Sequence, residues 1–291
     1  MRKRSSLWVA MAMVAGVLFG AFAANTPLSG RQASGYKAPR SPYADGKPDL
    51  NGIYQALNFA NYDLRDHSMR PGAFWQLGAL GGTPPGRGVV EGGSIPYQPW
   101  ATKRQEWNYR HRLIADVYKP EMGDPELKCY LPGTPRAVYM PYPFQILQST
   151  NKILIAYEFA GVTRTIHLDT VGDSPSDTWM GWSRGRWEGE TLVVDVTDFN
   201  DQTWFDRAGN FHSEALHVVE RYTPVDPYHL MYEATIEDPK VFTRPWTLKM
   251  PLYRHVDQDK QIREYKCVEF VEELMYGHLG VIDPATGEAN K

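Results

Sequence analysis

The sequence predicts a mainly β protein, an antiparallel up-and-down meander that forms a lipocalin-like barrel or a strongly curled sheet. One N-terminal helix and long Gly/Pro-rich loops accompany it. Three observations carry this expectation. After Pro143 the apolar residues recur with a period of two rather than 3.6. Turn signals then interrupt the pattern at short intervals: Thr150-Asn151, Gly161, Glu188-Gly189, Pro224 to Pro227 and Asp257 to Asp259. No helical segment in this half is long enough to cover a parallel sheet. Nine or ten strands can close on themselves, and closure removes exposed edges, so the barrel is preferred.

Taken in order, residues 1–23 read as a signal peptide. MRKRSS is basic, residues 7–22 are apolar, and Ala21-Phe22-Ala23 supplies the small-x-small pattern that a signal peptidase cleaves. The apolar run is shorter than the roughly 20 residues that span a bilayer. The expectation is a periplasmic or secreted protein starting near Ala24, with no membrane span after cleavage. Residues 24–48, polar and rich in Gly, Pro and Ser, read as a flexible tether. Residues 49–143 read as a loop-rich segment packed on the barrel, with a first strand over 49–57 (DLNGIYQAL) and a helix near 100–118. Trp100, Trp107 and Ile114 give that helix an apolar stripe. Between them, residues 70–99 are dominated by Gly and Pro, and their Phe74, Trp75 and Tyr97 point to a loop packed on something apolar.

The barrel is expected over 144–280, with strands near 144–149, 152–160, 163–169, 178–187, 190–198, 214–223, 229–237, 245–255 and 261–270, and a tail over 281–291. Glu188-Gly189 resembles hairpin turns in which the second residue must tolerate positive φ. Polar and aromatic residues in both alternating sets fit a ligand cavity better than a dry core. A net charge of -3 and the lack of a Lys/Arg run after the signal peptide give no basic field for a phosphate backbone, so nucleic acid is not an expected partner. Cys129 and Cys267, in an exported chain, are expected to form a disulfide. Closing so long a loop contributes on the order of 4 kcal/mol.

Candidate chemistry concentrates between Trp179 and Arg221, which hold four Trp, two His and four Arg. His217 and Arg221 share one strand face with Val219, while Leu216, Val218, Glu220 and Tyr222 share the other. Either the first face reaches a cavity mouth, or it is a surface ion-pair ladder with Arg221 opposite Asp195 or Glu233. His212, His217 and Asp206 are the candidate acid-base groups, since histidine titrates near neutrality and a carboxylate can orient it. Trp179, Trp182 and Trp204 suit packing against an apolar or aromatic ring. Trp179 is in phase with Gly181 and Ser183, which would leave room beside it. Arg164 could hold a ligand anion. No cofactor fingerprint, HExxH or CxxC is present, and His217 and Glu220 point to opposite faces; neither cofactor nor metal is expected.

PDLNGIY, CYLPGTPR, PYPFQILQ, TWMGWSRGRWEGETLVVD, FNDQTWFDRAGNFHSEALHVVERY and IEDPKVFTRPW together resemble a widespread family of exported bacterial β-rich proteins of unassigned function. The resemblance implies export and a β-rich fold. From the residues themselves, the first expectation is a cofactor-independent lyase, isomerase or hydrolase acting on a hydrophobic or aromatic small molecule. In it His217 or His212 moves a proton, Asp206 orients the imidazole, and Arg221 and Arg164 steady negative charge. The alternative is a non-catalytic carrier of such a ligand. Convergence of His212, His217 and Asp206 at a cavity separates the two; a third possibility is an interaction protein that docks a partner through the loop from Phe74 to Tyr97.

Overall fold

The computed structural model describes residues 35–72, 74–113, 122–170 and 172–279. The expected signal peptide, the first part of the tether and the 281–291 tail lie outside the described residues. The fold is a closed barrel of nine strands. They are β1 (Gly52–Ala56), β2 (Phe144–Gln148), β3 (Lys152–Tyr157), β4 (Thr163–His167), β5 (Trp182–Glu188), β6 (Thr191–Thr197), β7 (His217–Asp226), β8 (His229–Glu237) and β9 (Trp246–Arg254). β1 pairs with β2 on one side and β9 on the other, with Tyr54 opposite both Phe144 and Arg254. That double pairing closes the sheet and leaves no free edge.

The structure departs from the sequence expectation at four places. First, β4 and β5 pair in parallel, Ile166 with Ser183 and His167 with Arg184, so the meander is not antiparallel throughout. A parallel pair needs a long crossover, and the connection over 168–181 supplies it. Second, residues 261–268 form no strand, because β1 already occupies the edge of β9. Third, residues 36–48 are not a free tether. Ala38 and Ala44 are buried, Arg40 bridges to Pro48, and the Ala38 amide and Arg40 side chain both hold Glu190 beside the β5–β6 turn. Fourth, the helix α1 spans Pro99–His111 and buries Ala101, Gln105 and Asn108, not a tryptophan stripe; Trp100 is exposed, and Ile114 lies outside the described residues. α1 packs on backbone carbonyls that need donors, so its inner face is polar. Gln105 Nε2 donates to the Ala208 carbonyl at 2.6 Å and Asn108 Nδ2 to the Gly209 carbonyl at 3.1 Å.

Inward positions alternate along every long strand: Val218, Glu220 and Tyr222 on β7, Leu230, Tyr232, Ala234 and Ile236 on β8, Trp246, Leu248, Met250 and Leu252 on β9. Apart from Glu220, these side chains belong to one continuous buried cluster, so a packed core occupies the lumen where a ligand cavity is expected from the sequence. At Gly185 on β5 a Cβ would come within 2.7 Å of Ile166. Tight turns join the strands at one end, and Gly189 takes φ +61° in the β5–β6 turn as its sequence requires. The long connections 57–143, 198–216 and 238–245 all gather at the opposite end and cap it. The cap also holds the short helix α2 (Arg136–Tyr139). From His255 onward the chain follows the outside of the barrel to this cap. It is pinned there by the Cys129–Cys267 disulfide, the Phe270 amide on the Leu127 carbonyl, and the helix α3 (Val271–Tyr276). Among the described residues no helix is long and apolar enough to cross a membrane.

Candidate functional site

His217 and Arg221 stand on the outer face of β7, where they join a surface ladder of side-chain contacts with carboxylates. His217 Nε2 lies 3.1 Å from Asp195 and Nδ1 3.4 Å from Glu237. Arg221 pairs with Glu188 at 3.0 Å, and Glu233 is taken by Lys249. Alternation puts this face outward because Val218, Glu220 and Tyr222 fill the lumen.

His212 and Asp206 are buried in the cap, held apart by different partners. His212 Nδ1 meets the Ser213 carbonyl at 2.9 Å, which accepts only, so that nitrogen carries the proton. Nε2 then accepts from the Thr203 hydroxyl at 2.6 Å. Burial lowers the imidazole pKa, in keeping with this neutral form. Both Asp206 oxygens serve the turn that follows and the 57–64 segment. They accept from the Leu64, Ala208 and Asn210 amides and from Asn210 Nδ2, at 2.5 to 3.2 Å. Burial, then the neighbouring Asp63 charge, pushes Asp206 up to about 7. No hydrogen bond joins Asp206 or His212 to the other or to His217, so the three candidate acid-base groups do not form a constellation.

Arg164 and Ser183 do meet, inside the lumen. Arg164 Nε donates to Ser183 Oγ at 2.9 Å and Nη2 to Glu220 at 2.5 Å. Tyr222 and Tyr232 donate to the other Glu220 oxygen at 3.1 and 2.7 Å. Burial alone would depress the arginine, but the Glu220 charge outweighs it and holds the guanidinium protonated. This enclosed pair is part of the core. The tryptophans are dispersed: Trp179 packs edge-on against Tyr130, Trp182 stacks on His167 outside the barrel, and Trp204 is buried in the cap. Gly181 leaves no room for a ligand. With φ +68° it lies so close to Val196 and Phe199 that a Cβ would approach them to 2.6 and 2.7 Å.

A concave feature lined by aromatic and charged side chains lies on the cap. It is a cleft of about 320 Å3 bounded by the 70–83 loop, the C-terminal end of α1 and α3. The loop is the Gly/Pro-rich segment, folded tightly on itself. Arg70 and Thr83 exchange backbone hydrogen bonds, and a Cβ on Gly72 would strike the Gly81 carbonyl. Phe74 from this loop meets Tyr276 of α3 with ring centroids 5.7 Å apart. Tyr109 forms the α1 wall, with the Arg112 guanidinium 4.0 Å and the Arg70 guanidinium 5.4 Å from its ring centroid.

The floor is rigid and charged. Arg136, buried, makes a fork to Asp124 at 2.9 and 3.1 Å and also binds Glu126 at 2.8 Å and Asn61 at 2.8 Å. Arg207 binds both Glu126 oxygens at 2.7 Å. Against the upward push of burial, the Arg207 and Arg136 charges hold Glu126 down to about 2. Among the described residues, no group of three His, Cys, Asp or Glu side chains converges as a metal-binding set.

No family model, curated protein or solved structure matches the chain. The function therefore rests on the site's own chemistry. The sequence places ligand contacts at Arg164 and between Trp179 and Trp204 and misses this cleft, whose residues come from 62 to 276. The signal that touches it is the Gly/Pro-rich loop carrying Phe74, expected to pack on something apolar.

Proposed function

We propose that the protein is an exported, non-catalytic carrier that holds a hydrophobic or aromatic small molecule in the cleft between the 70–83 loop, α1 and α3. The observation that carries this reading is the cleft itself: rings of Tyr62, Phe74, Tyr109 and Tyr276 around a volume suited to a small ligand, on a floor locked by ion pairs. The disulfide between Cys129 and Cys267 supports export to an oxidising compartment, periplasmic or extracellular. An acid-base lyase, isomerase or hydrolase has one observation in its favour, the Asp206 carboxyl near neutrality. That carboxyl is 0 % exposed and enclosed by four donors of the protein itself, so a substrate has no path to it.

The test incubates purified protein, and His217→Ala beside it, with small-molecule extract of the producing cells, followed by mass spectrometry of the bound and free fractions. A carrier retains compounds unchanged, and His217→Ala retains them equally. Consumption of a compound by the wild type, whether or not His217→Ala abolishes it, would overturn the carrier reading in favour of catalysis.

A further inference from the structure

Arginines near the cleft fall into two kinds. Arg65 and Arg70 pair with Asp63 at 3.1 and 3.2 Å, Arg136 with Asp124 at 2.9 Å, and Arg207 with Glu126 at 2.7 Å. Arg112 is the exception. Among the described residues its only hydrogen bond runs from Nη1 to the Tyr109 carbonyl at 2.7 Å, at the end of α1. Among the described residues Nη2 and Nε have no such partner, and the guanidinium lies half-buried on the cleft wall. Desolvation lowers its pKa, and the nearby Arg70 charge adds to that, opposed by Tyr109 and Asp124. Among the described residues no carboxylate pairs with this guanidinium, which is desolvated beside another cation and over an aromatic face.

Resting on the carrier reading, we infer that the ligand is an aromatic or alicyclic carboxylate, whose ring lies among Tyr109, Phe74 and Tyr276 and whose carboxylate is taken by the free N–H groups of Arg112. The ligand supplies the charge that the floor does not. Asp124 and Glu126 are committed to Arg136 and Arg207, so they do not compete for Arg112. Glu272 on the α3 wall disfavours the reverse orientation, with the carboxylate towards α3. Planar, two-point recognition distinguishes a carboxylate from an amide of the same shape, because the amide presents one acceptor and a donor that faces donors.

The probes are naphthalene-2-carboxylate and its neutral isostere naphthalene-2-carboxamide, titrated calorimetrically into the full-length mature protein, Arg112→Gln, Arg112→Lys and Tyr276→Ala. The expected result is at least tenfold tighter binding of the carboxylate to wild type, a preference lost in Arg112→Gln and partly kept in Arg112→Lys. Thermal melts of each variant separate lost binding from lost folding, and Arg112→Lys keeps a cation at the end of α1 if Arg112→Gln proves unstable. Equal binding of both probes to wild type, weakened for both by Tyr276→Ala, would overturn the carboxylate assignment while leaving the cleft as the binding site. Binding of neither probe would overturn the carrier reading and this inference with it.

Discussion

Arg164 and Glu220 neutralise each other inside the barrel, and Ser183, Tyr222 and Tyr232 add hydrogen bonds to the pair. Removing one partner leaves a buried charge alone. Arg164→Met is predicted to cost about 3–5 kcal/mol, whereas Arg164→Met with Glu220→Leu recovers most of the loss. Urea unfolding of the single and double variants checks this; equal destabilisation by both would show that the pair is worth more than its desolvation. Asp206 and His212 give a pH dependence of opposite sign. Asp206 titrates near 7 when folded and near 3.9 when unfolded, so the folded state holds the extra proton between those values. Its contribution to stability therefore falls as pH rises through that window, by at most about 1.4 kcal/mol per pH unit. His212, lowered by burial, contributes stability that grows until the unfolded imidazole has lost its proton near 6.5. The discriminating quantity is the difference between wild type and Asp206→Asn. The variant gains on the wild type from pH 5 to pH 8, and a constant difference would contradict the assignment. At this scale the sequence exposed the alternation of β7 but not its sense. Leu216, Val218 and Tyr222 were the more apolar set, and that set faces the lumen, carrying Glu220 inward and His217 outward.

The strand elements were legible because a period of two is a local property, and β6, β8 and β9 lie where the alternation and turn residues place them. What a local pattern does not encode is partner choice. β1 claims the edge of β9, which removes the expected strand over 261–270, and the crossover over 168–181 makes one pair parallel. The C-terminal segment freed by that pairing follows a path set by point contacts. Tyr265 packs on Tyr142 and Phe159, Cys267 bridges to Cys129, and α3 brings Tyr276 to Phe74. The disulfide closes a loop spanning 138 positions, so its removal is predicted to cost on the order of 4 kcal/mol in the chain-entropy account. It also ties α3 to the cleft floor through the turn carrying Asp124 and Glu126. In Cys129→Ser with Cys267→Ser, amide exchange is expected to accelerate over residues 263–276 while β7 and β8 stay protected. Uniform acceleration across the barrel would show instead that the bridge supports the whole fold.

At the scale of the whole molecule, the division of labour is between a packed barrel and a built cap. Nine strands close, their lumen fills with side chains, and long connections gather at one end to form a network of ion pairs with a cleft above it. The sequence announced the barrel and the disulfide. It concealed the cleft, because Tyr62, Arg70, Tyr109, Arg112, Arg207 and Tyr276 are distant in the chain and only the cap brings them together. The account's central claim is that the cleft, not the lumen, holds an unchanged small molecule. Hydrogen exchange of protein loaded with the retained extract fraction, against the stripped protein, tests it most directly. The account predicts added protection confined to residues 70–83, 109–113 and 272–276. Added protection of β4, β5 and β7 around Arg164 and Glu220, with the cleft segments unchanged, would contradict it.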